Sequence, residues 1–117
     1  MTRINVIVGS GMVSATLDDT PAGRDFAALL PLELTLIDYN ATEKVADLPR
    51  ELVTRDAPAS YTPKAGDITY YASWGNLAIF YKPFRTSRGL VRLGAFDGPI
   101  DGLLEGGAIP VRIEAAE

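Results

Sequence analysis

Gly66-Asp67-Ile68-Thr69-Tyr70-Tyr71-Ala72-Ser73-Trp74-Gly75-Asn76-Leu77-Ala78-Ile79-Phe80-Tyr81 is the stretch whose reading decides the fold. Aromatic and β-branched side chains suit a pleated, half-buried surface, and two runs of them flank Ser73-Trp74-Gly75-Asn76. That spacing predicts a β-hairpin with a short turn. Alternate members of each strand face opposite sides, so about half of these aromatics belong to a core and half stay exposed or line a groove.

The pattern continues toward the C-terminus. Gly89 through Phe96 supplies another strand, and Pro99 to Leu104 reads as a short helix or turn. Gly106-Gly107 breaks the chain before a last strand, which sets Ile109, Val111 and Ile113 on one face. Toward the N-terminus, residues 39–65 carry Pro49, Pro58 and Pro63 with small apolar islands at Val45 and Leu52-Val53. Proline removes a ladder donor, so this segment predicts one or two short edge strands and a long surface loop. A loop of that length either serves function or covers an end of the fold.

Leu32, Leu34 and Leu36 alternate with Glu33 and Thr35 as a further strand. Before it, Asp18-Asp19-Thr20-Pro21 reads as a helix start, with a polar cap, acidic residues near the positive end of the dipole, and proline in the first turn. Phe26, Leu29 and Leu30 have the spacing of a buried helical stripe, and Pro31 ends the helix near Leu30. Ile4, Val6 and Val8 alternate on one strand; Gly9-Ser10-Gly11 turns the chain, and Val13, Ala15 and Leu17 return on another. Seven or eight short strands and one helix make a mainly β fold, a barrel or a sandwich.

The 117 residues suffice for one domain, residues 1–117. Cys and His are both absent, which excludes disulfides, thiol nucleophiles, imidazole shuttles and Cys/His zinc sites. A net charge of −4 argues against nucleic acid, whose phosphates require surplus Lys and Arg. Asn5, Ser10 and Ser14 interrupt any signal-like apolar run, and no window is apolar enough to cross a membrane as a helix. The expected compartment is the cytoplasm.

Candidate chemistry is sparse. Asp18, Asp19, Asp97 and Asp101 suit capping and turn roles better than acid–base work. Lys82, Arg85, Arg88 and Arg92, with Phe84 among them, form a basic group that either receives a carboxylate or is a solvated loop. Gly9-Ser10-Gly11 lacks the strand–loop–helix context of a phosphate loop. No catalytic residue, metal ligand or cofactor is expected. Trp74 stands out, because a hairpin tip gives a large indole little to do unless it packs on a neighbouring loop or meets a ligand.

Three segments carry a resemblance. Thr20-Pro21-Ala22-Gly23-Arg24-Asp25-Phe26-Ala27-Ala28-Leu29 is similar to the first helix of cyclophilins, Pro-x-x-x-x-Asn-Phe-x-x-Leu. Gly66-Asp67-Ile68 through Gly75-Asn76-Leu77-Ala78-Ile79-Phe80 resembles the strand pair that ends in Gly-Ser-Gln-Phe-Phe. Leu90-Val91-Arg92-Leu93-Gly94-Ala95-Phe96-Asp97-Gly98 resembles the later Val-Val-Phe-Gly-x-Val-x-x-Gly. The wording is nearest to small bacterial cyclophilin-like proteins, most of them without an assigned activity. The resemblance implies a closed eight-stranded β-barrel with one main helix at about 20–30 and short helical turns, the helix covering one end.

It also implies what is missing. The isomerase arginine slot falls on Ala46, the glutamine slot on Leu77 and the histidine slot on Leu90, and the chain contains no Gln. The expectation is a non-catalytic module that binds a peptide or small molecule, with neither nucleic acid nor membrane as partner. Tyr61, Trp74, Asn76, Phe80 and Arg85 are expected to border its groove. The alternative is a weak or rewired prolyl isomerase with Arg85 or Arg50 as a displaced donor.

Overall fold

A computed structural model describes residues 1–104 and 107–116. The chain begins with β1 (Thr2–Val8) and β2 (Gly11–Leu17), followed by α1 (Pro21–Ala27), β3 (Leu32–Tyr39) and β4 (Glu43–Asp47). Then come β5 (Ser60–Tyr61), β6 (Asp67–Tyr71), β7 (Asn76–Phe80), β8 (Ser87–Arg88), β9 (Leu90–Phe96) and β10 (Ile109–Ala115). Eight strands close an antiparallel barrel in the order β1-β10-β3-β4-β7-β6-β9-β2, while β5 and β8 pair separately. The fold is mainly β, as the alternating stretches require.

Alternation assigns the barrel interior. Ile4 and Val6, Ala15 and Leu17, Leu36, Ile68 and Tyr70, Leu77 and Ile79, Leu93, and Val111 and Ile113 all join one buried cluster. Gly9, at φ +59°, makes the β1–β2 turn, where Val8 pairs with Gly11. Gly94 allows a close crossing: a Cβ there would stand 2.2 Å from the Thr16 carbonyl oxygen. Any side chain at that position would push β9 off β2.

The helix is shorter than the sequence pattern suggests. It ends at Ala27; the Leu29 and Leu30 N–H groups then reach back only three residues, to the Phe26 and Ala27 carbonyls. Pro31 disfavours a helical conformation in the residue before it, so the last turn tightens instead of continuing. Thr20 is the cap, its Oγ1 accepting from Gly23 N at 3.0 Å. Asp18 and Asp19 do not cap: Asp18 pairs with Arg92 and Asp19 with Arg24. Phe26 is fully buried in the barrel cluster, held by packing of α1 on β9 and β2.

One sector of the barrel is buried on both faces. Ala78, Phe80 and Leu90 point outward from β7 and β9, yet they form a second buried cluster with Val45, Tyr61, Tyr71 and Phe84 around it. Their cover consists of residues 54–65 and 82–89. These two loops are joined by the β5–β8 pair, by Phe84 N donating to the Pro63 carbonyl at 3.2 Å, and by Gly89 N donating to the Ala59 carbonyl at 3.0 Å. The proline-rich segment therefore serves both sides of the wall: its later part lies over the outer face, while Leu48, Leu52 and Ala57 pack against the interior cluster, with Leu52 N donating to the Tyr70 hydroxyl at 3.1 Å. Residues 101–103 form a short 3-10 helix. Gly106, half of the expected break before β10, lies outside the described residues. Among the described residues, no helix is long and apolar enough to cross a membrane.

Candidate functional site: a recess on the covered outer face

The site begins with strand register. β4 pairs with β7 so that Glu43 lies opposite Phe80 and Val45 opposite Ala78. Directly opposed residues share a face, so Glu43 and Val45 project outward with Phe80 and Ala78. Asn76 and Tyr71 are paired across β6 and β7 and project the same way. Of these six, Glu43, Val45, Tyr71 and Asn76 form the floor of a recess of about 340 Å³ between the barrel and its cover.

Three loops raise its walls. The β3–β4 turn contributes Tyr39, Asn40 and Thr42; the β6–β7 turn contributes Trp74; and the 82–89 loop contributes Phe84, Arg85 and Ser87. Asn40 and Ala41 both have positive φ, +54° and +51°, with the Ala41 N–H donating to Asp38 at 3.0 Å. Gly75, at φ +69°, closes the other turn, and the N–H groups of Trp74 and Gly75 both donate to the Tyr71 carbonyl. That leaves the Trp74 indole 76% exposed at the rim, bordering a second, more open depression beside Asp47 and Glu51.

The polar groups of the floor are unusual. Glu43 is 5% exposed, and its Oε2 has no hydrogen-bond partner among the described residues. The same is true of Asn76 Oδ1. Unpaired buried acceptors are rare because each forfeits its hydration without compensation. Burial accordingly pushes the Glu43 carboxyl up to about 7. Burial also raises the Tyr71 hydroxyl. Among the described residues the barrel wall beyond shows nothing comparable: there buried Lys44 lies 3.7 Å from Asp38 and 5.9 Å from the Tyr81 ring centre. There Tyr81 donates to Asp38, and its own hydroxyl is raised to about 12 by burial and that carboxylate.

Of the five groove residues expected from sequence, Trp74, Asn76 and Arg85 line this recess. Phe80 does not reach its lining. It is fully buried, stacked on Phe84 with ring centres 6.1 Å apart, and so supports the wall from below. Tyr61 is also outside the lining: its hydroxyl donates to Asp67 at 2.6 Å. Asp67 in turn accepts from Lys64 N at 2.9 Å and Arg92 at 3.5 Å, a network that fastens the cover to β6. The basic group divides accordingly. Arg92 is committed to Asp18 and Asp67, whereas Arg85 lies over the Phe84 ring at 4.9 Å. Arg50, the other displaced-donor candidate, makes a bidentate pair with Asp25, both contacts 2.9 Å.

Sequence reasoning missed Glu43. In Glu43-Lys44-Val45-Ala46-Asp47 nothing local marks it as buried; only the pairing with Phe80, 37 positions on, places it under the cover. Among the described residues, no three His, Cys, Asp or Glu side chains gather as a metal site would require.

A family model described as the cyclophilin-like family matches residues 6–114. The solution structure of a hypothetical protein from Archaeoglobus fulgidus superposes with a TM-score of 0.70, at 17% identity, over 98% of this chain and 95% of that one. At that identity the likeness concerns the fold. No curated protein matches the chain significantly.

Proposed function

The chain belongs to the cyclophilin-like family, and from that premise we propose that it is a binding module whose outer-face recess takes a peptide or small molecule. The observation that carries this reading is the pair of unpartnered acceptors, Glu43 Oε2 and Asn76 Oδ1, at the floor of an aromatic-walled recess. A folded chain tolerates such groups where a ligand completes them. The volume, about 340 Å³, sits at the low end of the roughly 300–1,000 Å³ common for small-molecule sites.

Catalysis of prolyl rotation is the weaker reading. It needs a donor aimed at the twisting amide. Ala46, Leu77 and Leu90, at the three slots that resemblance assigns to the isomerase side chains, are buried apolar residues. Arg50 is occupied by Asp25. The test follows Trp74 emission while proline-containing peptides and a small-molecule panel are titrated, beside an isomerisation assay on a tetrapeptide. A saturable emission change with an isomerisation rate equal to buffer is the expected result. Ligands that bind by an independent method without altering Trp74 emission would place the site elsewhere.

A further inference from the structure

The recess presents unpartnered acceptors and aromatic rings in its lining, and these two features have one ligand chemistry in common. Glu43 Oε2 and Asn76 Oδ1 can each accept a hydrogen bond and neither has a partner among the described residues. Tyr39, Tyr71 and Trp74 supply three aromatic rings around them, while the Phe84 ring is already engaged by Phe80 and Arg85. A ring face is electronegative and attracts a cation, and a carboxylate does so more strongly where water is scarce. A carboxylate or phosphate entering here would meet an amide oxygen and, once Glu43 ionises, a buried carboxylate, both of them repulsive.

We propose that the recess binds a primary ammonium group carried on an apolar body, with its N–H groups donating to Glu43 and Asn76 and its charge enclosed by the aromatic walls. This rests on the reading of the recess as the ligand site. A free amine and a lysine side chain share that chemistry. Arg85 is the one cation among the described lining residues, and it stands at the solvent edge over the Phe84 ring, where water and salt screen it.

The proposal has a proton signature. Around Glu43 the facing ionisable groups are Tyr39 of β3, Tyr71 of β6 and Arg85 of the cover loop. Burial raises the Glu43 carboxyl to about 7, so its charge changes between pH 5 and 8. An ammonium ligand favours the ionised carboxyl and therefore binds better as pH rises.

The experiment titrates the full chain by amide-resolved NMR at pH 5.5 and pH 8. The probes are phenethylamine (protonated at both), N-acetyl-lysine amide, neutral 2-phenylethanol and anionic 3-phenylpropionate. At least one ammonium probe should shift Trp74, Asn76 and Arg85 resonances and bind about tenfold tighter at pH 8. Whichever of the two does so identifies a free amine or a lysine side chain as the source. Glu43→Gln should remove the pH dependence, while Asn76→Ala should weaken binding and preserve it. The wild-type pH comparison decides the matter even if a variant fails to fold. Preference for 3-phenylpropionate, or ammonium binding indifferent to pH, would overturn the cation assignment and leave the recess as a site. If none of the four probes shifts recess resonances, the site reading itself falls.

Discussion

The β1–β10–β3 side of the barrel and the β4–β7–β6–β9 side obey different rules. In β10 the burial alternates strictly from Ile109 through Ile113, because one face meets the core and the other meets water. In β6 and β7 four of five residues are buried, because the cover loops occupy the outside. The one-sided sector is scaffold. The two-sided sector is where the chain places a carboxyl and an amide whose burial serves no core, and that difference marks the candidate site.

The contrast is broken most severely from the inside. Phe26→Ala should cost about 3–5 kcal/mol, through lost transfer energy and the cavity left in the barrel cluster. Chemical denaturation measures it; a change within about 0.5 kcal/mol, typical of surface sites, would show that the helix does not seal the core.

The next effect belongs to the covered face and depends on pH. The folded chain keeps the Glu43 proton to about pH 7, whereas an unfolded glutamic acid releases it near 4.5. Folding therefore takes up a proton in that window, and stability falls as pH rises through it. The loss is at most about 3 kcal/mol, since solvent in the open recess screens part of it. Asp25 and Asp38 act in the opposite direction and lower down: Arg50 and the Tyr81 hydroxyl hold them below their ordinary 3.8, so their contribution disappears only in stronger acid. Glu43→Gln should flatten the stability profile between pH 4.5 and 7 and leave the acid limb intact.

The smallest expected change in stability is at the rim. Trp74→Ala should alter stability by no more than about 0.5 kcal/mol, as an exposed side chain contributes little to folding. It should nevertheless weaken binding of whatever ligand shifts the Trp74 resonances. Global unfolding of this variant would make the hairpin tip a structural clasp.

The same contrast explains what was legible. Alternation at Ile4-Val6, Leu32-Leu34-Leu36 and Ile109-Val111-Ile113 identifies an inner face outright, so the barrel could be read from residues alone. Between residues 67 and 80 the run is nearly continuous and does not say which members face in. Phe80 therefore looked like a groove residue although it is the support beneath Phe84. Trp74, Asn76 and Arg85 were legible because turn chemistry and loop position mark them. Glu43 was not, since its burial depends on a strand pairing and on loops remote in sequence. Thr20 rather than Asp18 or Asp19 caps the helix for a similarly remote reason: Arg92, 74 residues from Asp18, claims that carboxylate.

The account rests on a desolvated carboxyl at the floor of the recess, whose Oε2 has no partner among the described residues. Its most direct test is the titration of the Glu43 side-chain carboxyl by carbon-detected NMR, assigned by loss of the signal in Glu43→Gln. A midpoint of about 7 is the predicted result. A midpoint at the ordinary value of 4.5 would mean that water or a protein donor already serves Oε2, and the recess would have nothing left to offer a ligand nitrogen.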